Sequence, residues 1–91
     1  MAVIIKIPQL FRKFIDGNKE IVVNAGSIME IIKEVKIKYP ELSNEIIDSK
    51  NHIKNYLKLC VNEDFVKNPA EYDKKINDGQ VLKLLVPISG G

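Results

Sequence analysis

The chain has 91 residues, of which 45% are hydrophobic, and this suffices for one modest core in a single globular domain. Fourteen basic and twelve acidic residues give a net charge of +2 without a basic run, which argues against nucleic-acid binding. We expect a cytoplasmic protein with no membrane span, because the one cysteine cannot form an internal disulfide, no long apolar stretch occurs, and the N-terminus lacks a signal-peptide pattern.

The first two predicted strands form a hairpin. The segment AVIIKI, residues 2–7, is rich in β-branched residues and is followed by Pro8, which predicts a strand. After an irregular stretch, Asp16-Gly17 marks a turn, and EIVVNA, residues 20–25, predicts a second strand antiparallel to the first. Alternation assigns three side chains of the first strand to the core, namely Val3, Ile5 and Ile7.

The clearest local signal is a helix that begins after Ser27. Ser27 and Glu30 have the spacing of a capping box, in which each side chain bonds a backbone amide of the other residue. Pro40 ends this helix, and ELSNEII after it predicts a short second one. The helix has an apolar stripe at three- and four-residue spacing: Ile28, Ile31, Ile32, Val35 and Tyr39.

Two later segments predict core strands. IKNYLKLCVN, residues 53–62, alternates along its length and predicts a third long strand. NEDF is predicted as a turn and KNPAEYDKK as a loop, and INDGQVLKLLVP turns at Asp78-Gly79 into a last strand. The fold class is therefore α+β, a mixed four- to five-stranded sheet with one main helix on one face. The inward side chains of the two strands are Leu57, Leu59, Val61, Leu82, Leu84 and Val86.

Several residues with possible chemistry have ordinary structural interpretations. His52 has no partner at metal-ligand spacing, which favours a loop histidine, and nothing near Cys60 in the sequence indicates an activated thiol. Glu63-Asp64 fits a turn. Gly26 lacks the further glycines and the lysine of a phosphate-binding loop, so we predict no ATP site, bound cofactor or metal in this chain.

The chain ends on Gly90-Gly91 directly after its last predicted strand, and this ending completes a series of short motifs. In chain order these are Ile7-Pro8 with LFRKF, Tyr39-Pro40, Val61-Asn62-Glu63-Asp64, Asp78-Gly79 and PISGG. Together they resemble the ubiquitin-like β-grasp sulfur carriers of the MoaD/ThiS family over nearly the whole chain. The subgroup of similar length associated with cysteine biosynthesis is the closest match, and Ser89 departs from the family's usual alanine.

The resemblance implies a ubiquitin-like β-grasp domain over residues 1–87 and a flexible tail over residues 88–91. It implies a sulfur carrier, not an enzyme, whose Gly91 carboxylate is adenylated by an ATP-dependent enzyme and converted to a thiocarboxylate. The sulfur would serve the biosynthesis of cysteine, molybdopterin or thiamine, or tRNA thiolation. Implied partners are a ubiquitin-activating-like adenylyltransferase, a sulfurtransferase or cysteine desulfurase, and a sulfur-accepting synthase; the free carrier would be a monomer.

The residues of the tail suit this chemistry. A main-chain carboxylate has a pKa near 3.5, so that of Gly91 is an anion at neutral pH and needs no activating base. Gly90 and Gly91 lack Cβ atoms and can thread a narrow channel. Pro87 restricts the root of the tail, Ile88 offers an apolar anchor, and Ser89 adds only a hydroxyl. Because the sequence ends on the second glycine, we expect activation without prior proteolysis.

The sheet face away from the helix is a second predicted partner-binding region. It presents an apolar centre with a basic rim, which would favour an acidic partner surface, although scattered exposed apolar residues are also normal. One alternative is a non-covalent ubiquitin-like interaction module that does not use its terminus, and another is a protein modifier. An independent enzyme is disfavoured because the chain offers one histidine and one cysteine. The predicted residues of this face are Ile4, Lys6, Lys58, Cys60, Lys83 and Leu85.

Overall fold

A computed structural model describes residues 2–87 of the chain, so the predicted tail at residues 88–91 lies outside the described residues. The helices are α1 (Ile28–Lys38) and α2 (Pro40–Ile46), and two 3-10 helices span Gln9–Ile15 and Pro69–Asp73. The strands are β1 (Ala2–Lys6), β2 (Glu20–Asn24), β3 (Gly26–Ser27), β4 (Lys58–Val61), β5 (Asp64–Val66), β6 (Lys75–Ile76) and β7 (Val81–Leu85).

Five strands form one mixed sheet in the order β2-β1-β7-β4-β5. Strand β1 is parallel to β7, with Ile5 opposite Leu82, and the other neighbouring pairs are antiparallel. The short strands β3 and β6 pair separately. This arrangement confirms the predicted α+β class and places β7, the strand nearest the C-terminus, at the centre of the sheet.

The connection from β1 to β2 is helical where the sequence shows no regular pattern. Pro8 precedes the 3-10 helix Gln9–Ile15, whose apolar side chains Phe11 and Ile15 are buried. The helix ends in a left-handed turn, with φ of 58° at Asp16 and 79° at Gly17, as the Asp-Gly signal predicts. The turn brings the chain back to pair antiparallel with β1.

Helix α1 covers one face of the sheet and encloses the core. The predicted capping box is confirmed: the Glu30 amide donates to Ser27 Oγ (3.1 Å), and the Ser27 amide donates to Glu30 Oε1 (2.8 Å). Four of the five stripe residues are buried, and Tyr39, at the end of the helix, is partly buried against the core. They pack over inward residues of the sheet that include Val3, Val23, Leu82 and Leu84.

Three predicted segments differ from the structure. The third strand covers only Lys58–Val61, because the residues before it bond other elements: the Lys54 amide donates to the Ile46 carbonyl and the Ile53 amide to the Tyr72 hydroxyl, both at 2.9 Å. The NEDF turn is confined to Asn62-Glu63, with φ of 56° at Asn62, and β5 follows it. The predicted loop at residues 67–75 contains the 3-10 helix Pro69–Asp73 and the start of β6.

The described part of the chain contains no helix long and apolar enough to cross a membrane.

Candidate docking face and tail exit

Strand β7 leads to the last described residues of the chain. It is hydrogen-bonded to β1 on one side and to β4 on the other, and its last residue, Leu85, lies opposite Lys58 of β4. Val86 follows and packs partly buried against the core, and Pro87 is exposed. Val86 and Pro87 therefore follow a strand that its two neighbouring strands and the core hold in place.

The register brings most of the predicted partner-binding residues onto the sheet face opposite α1. Ile4 of β1 lies beside Val81 of β7, and Lys6 lies beside Lys83 two residues further along the same two strands. Leu85 is 39% exposed and lies beside Lys58. We call the exposed and half-exposed residues of this surface the docking face: Ile4, Lys6, Val22, Lys58, Phe65, Val81, Lys83 and Leu85. Their role in partner binding stays a prediction.

The expectation that Cys60 is exposed on this face is wrong. Register places Cys60 on the face, between Lys83 of β7 and Phe65 of β5, but its side chain is only 6% exposed. Strand β4 has a neighbour on each side, so the two long cross-strand side chains flank the short cysteine. Cys60 therefore packs beneath the surface that a partner would contact.

Three apolar residues of the docking face are absent from the predicted set, and one of them, Val81, is half-buried beside Ile4. Val22 of β2 and Phe65 of β5 are each 52% exposed, and both lie on the face opposite the helix. Alternation within EIVVNA was enough to place Val22 outward beside Ile4. Phe65 could be found only by recognising β5, which the turn signal of the preceding residues concealed.

The docking face combines one like-charge contact with one opposite-charge contact, because Glu20 of β2 is exposed and lies opposite Lys6 on the other side of β1. Lys6 and Lys83 are directly opposite each other on β1 and β7, and both are exposed. Lys58, also exposed, is diagonal to Lys83 because it lies two residues before Cys60 on β4. Like charges directly opposite on neighbouring strands destabilise a sheet. Glu20 offsets part of this repulsion at Lys6, so the uncompensated positive charge lies at Lys83 and Lys58, where an anionic surface would stabilise it.

The acidic groups with a lowered pKa lie elsewhere and have structural roles. The hydrogen bond from the Ser27 amide lowers the pKa of Glu30, and amide hydrogen bonds from His52 and Lys50 lower that of Asp48. For Glu34, burial acts to raise the pKa, but the bonds from Lys38 (2.8 Å) and the Asn24 amide outweigh it and lower the pKa. None of these carboxylates belongs to the docking face.

The predicted loop histidine has a packing role. The His52 ring meets the Tyr72 ring edge to face, with centroids 5.7 Å apart, and burial raises the pKa of Tyr72. Across residues 2–87, no group of three or more histidine, cysteine, aspartate or glutamate residues is arranged to hold a metal ion.

A five-stranded mixed sheet wrapped on one face by a main helix, with a central last strand leading to the C-terminus, defines a ubiquitin-like β-grasp domain. The profile of the ThiS family matches residues 5–91, and the chain belongs to that family. The chain is homologous to small sulfur carrier proteins, which are not enzymes themselves. The predicted resemblance is thereby confirmed.

Solved structures share this fold over at least 94% of the chain. A chain of the Amycolatopsis orientalis BexX/CysO complex has a TM-score of 0.84 at 21% identity, covering 98% of this chain and 99% of that one. Mycobacterium tuberculosis CysO has a TM-score of 0.81 at 20% identity, covering 94% and 99%. SAMP1 from Haloferax volcanii has a TM-score of 0.79 at 14% identity, with full coverage of both chains. A search of curated proteins found no significant match.

Proposed function

We propose that this protein carries sulfur on the carboxylate of Gly91 and delivers it to a biosynthetic reaction. The main support is the ThiS family match, which runs to residue 91 and therefore includes the Gly90-Gly91 pair. The described residues fit this role, since β7 leads from the centre of the sheet through Val86 to an exposed Pro87. In this proposal the domain covers residues 1–87 and the reactive tail residues 88–91.

The chemistry proceeds in two steps that partner proteins catalyse. A carboxylate oxygen of Gly91 attacks the α-phosphorus of ATP, the bond to the β-phosphate breaks, and pyrophosphate leaves. The resulting acyl adenylate is electrophilic at carbon, so hydrosulfide displaces AMP and leaves a thiocarboxylate. A persulfide donor displaces AMP to form an acyl disulfide instead, and a thiol then attacks the donor's sulfur, which releases the same thiocarboxylate and leaves the donor and the thiol joined in a disulfide. The carrier contributes the carboxylate and the surface that positions it.

The docking face supplies the contact area that a four-residue tail lacks. Its apolar residues lie between exposed lysines, and the opposed pair Lys6 and Lys83 favours an acidic partner surface. The partners in this proposal are an ATP-dependent adenylyltransferase of the ubiquitin-activating type, a sulfurtransferase or cysteine desulfurase, and a sulfur-accepting synthase, all in the cytoplasm. The sulfur goes to cysteine, molybdopterin, thiamine or tRNA, with cysteine biosynthesis the first pathway to test.

An adenylation assay tests the first step and the docking face together. With the cognate activating enzyme, wild-type protein should support ATP–pyrophosphate exchange, and a Gly91-deleted variant should not. Lys83→Glu should lower kcat/KM for the carrier, chiefly through KM, because it reverses one charge of the face. Lys19→Glu is the matched control, since Lys19 is exposed just before β2 at the far edge of the sheet. Equal exchange with wild-type and Gly91-deleted protein would refute adenylation at Gly91.

A second candidate is a protein modifier, which the structural likeness to SAMP1 favours, because that name stands for small archaeal modifier protein 1. A modifier would use the same adenylate but transfer Gly91 to a lysine of another protein. Tryptic digestion of cell extracts distinguishes the two, since a conjugate leaves tail residues attached to a target lysine. A non-covalent interaction module would instead keep its activity when one residue is appended after Gly91.

A further inference from the structure

A cleft of about 360 Å³ opens where strands β4 and β5 stop pairing. Their ladder ends at Leu59 opposite Val66, and the chain before β4 and the chain after β5 diverge from that point. The floor is apolar and is made by buried Leu57, Leu59 and Tyr72. The volume of the cleft is at the lower end of the roughly 300–1,000 Å³ that ligand sites occupy. The cleft therefore has room for a few residues of an extended segment.

The charged side chains that line the cleft are all basic. Lys58 and Lys67 are exposed on the two diverging segments, and no carboxylate is among the described lining residues. Lys54 also lines the cleft, but its Nζ donates to the carbonyl of Asn44 in α2 (2.9 Å), a residue outside the lining of the cleft. His52 is a further lining residue. Positive charge therefore borders the cleft on both segments, from Lys58 at the docking-face side and from Lys67.

The walls are held by hydrogen bonds that do not involve a ligand. The Ile53 amide donates to the Tyr72 hydroxyl (2.9 Å), which ties one wall to the floor. On the other wall, the Lys67 amide donates to Glu71 Oε2 (2.8 Å) and the Ala70 amide to Asn68 Oδ1 (2.9 Å). A preformed site loses less conformational entropy on binding than one that must first be ordered.

We propose that this cleft binds a short, extended acidic segment of a partner protein. Apolar side chains of the segment pack on Leu57, Leu59 and Tyr72, and its carboxylates pair with Lys67 and, where the cleft borders the docking face, with Lys58. A purely polar anion would leave the apolar floor unused, and a nucleic acid would need stacking platforms, whereas Phe65 is the exposed aromatic residue among the described lining residues. The site does not depend on Gly91 chemistry, so it is tested without an activating enzyme.

The test is a titration of ¹⁵N-labelled protein with the amidated peptide EVDVEV, using QVNVQV as its uncharged counterpart. EVDVEV should shift the amide resonances of residues 52–59 and 65–69, and QVNVQV should bind at least several-fold more weakly. Lys67→Glu should weaken EVDVEV binding about fivefold or more, and Lys67→Gln by a smaller factor. Lys67 is chosen because it does not belong to the docking face. Lys19→Glu, with the same change of net charge, should bind like wild type.

Other results would overturn the proposal. Equal binding of the two peptides, or an equal loss of affinity for EVDVEV in Lys67→Glu and Lys19→Glu, would show that the cleft does not recognise acidic side chains. Tighter binding of a six-nucleotide oligothymidine at the same amides would assign the cleft to nucleic acid. Self-association that increases with protein concentration and excludes EVDVEV would assign it to a second copy. If the NMR spectrum of Lys67→Glu loses the dispersion of a folded protein, the titration of Lys67→Gln is used instead. Binding of EVDVEV to Lys67→Gln as tight as to wild type would then overturn the proposal.

Discussion

Reversing the charge of Lys83 should stabilise the protein while weakening its proposed docking. Lys83 lies opposite Lys6 and diagonal to Lys58, so Glu at this position would convert one direct repulsion and one diagonal repulsion into attractions. Exposed cross-strand charge pairs each contribute a few tenths of a kcal/mol to about 1 kcal/mol. Glu20, opposite Lys6 on β2, already offsets part of the repulsion, so the combined change is at most about 1 kcal/mol, which for a domain of this size raises Tm by up to about 4–8 °C.

Thermal unfolding followed by circular dichroism measures this change. Lys83→Gln removes the repulsion without adding attraction and should give about half of the increase. Lys19→Glu changes the net charge from +2 by the same two units but lies at the far edge of the sheet, so its Tm should move little. In 1 M salt, where the Debye length is about 3 Å, the gain of Lys83→Glu should shrink. An unchanged or lower Tm for Lys83→Glu at low salt would refute the reasoning.

Three further predictions concern the stability of the domain. Ser27→Ala removes one half of the capping box of α1 and should lower the free energy of unfolding by about 1 kcal/mol in urea titrations; no change would mean that Glu30 alone caps the helix. Leu82→Ala, at a position 1% exposed at the centre of the sheet, should cost about 2–5 kcal/mol by the same measurement, and a cost below about 1 kcal/mol would contradict the core assignment. Glu34 has a folded pKa below its ordinary 4.5, so its ionised carboxylate stabilises the fold above pH 4.5, and this stabilisation is lost as the pH falls through the folded pKa. Glu34→Gln should therefore make the free energy of unfolding less dependent on pH in acid. Parallel curves of this free energy against pH for wild type and Glu34→Gln would contradict the prediction.

The parts of the fold predicted correctly are those that local chemistry determines. The capping box of Ser27 and Glu30 depends on two residues three apart, and the Asp16-Gly17 turn depends on a left-handed backbone that these residues tolerate. The inward faces of β1 and β7 follow from alternation alone. The order of these elements, together with the terminal glycines, was sufficient to identify the family.

The parts that were missed depend on contacts between distant segments. Strands β3 and β6 have two residues each, too few for a periodic signal, and they form because Gly26 meets Ile76 across the chain. Residues 53–57 have strand-like composition but bond to α2 and Tyr72 instead of a neighbouring strand. Alternation placed Cys60 on the correct face but gave no account of the side chains beside it.

The candidate docking face was predicted in part for the same reason. Its central residues on β1 and β7 follow from two strands whose patterns are regular, so Ile4, Lys6 and Lys83 share a face in the structure. Phe65 belongs to β5, whose three residues were hidden in a segment typical of a turn. The opposition of Lys6 and Lys83 required the register between parallel strands, which no local sequence pattern specifies.

The measurement that tests the central claim most directly is the intact mass of the protein after incubation with its activating enzyme, ATP and a sulfur donor. Replacement of one carboxylate oxygen by sulfur should appear on the wild-type protein and should map to the C-terminal peptide that contains Gly91. The Gly91-deleted protein and a variant with one residue appended after Gly91 should keep their original masses. Sulfur incorporation at Cys60, or an equal yield from the Gly91-deleted protein, would contradict the proposal.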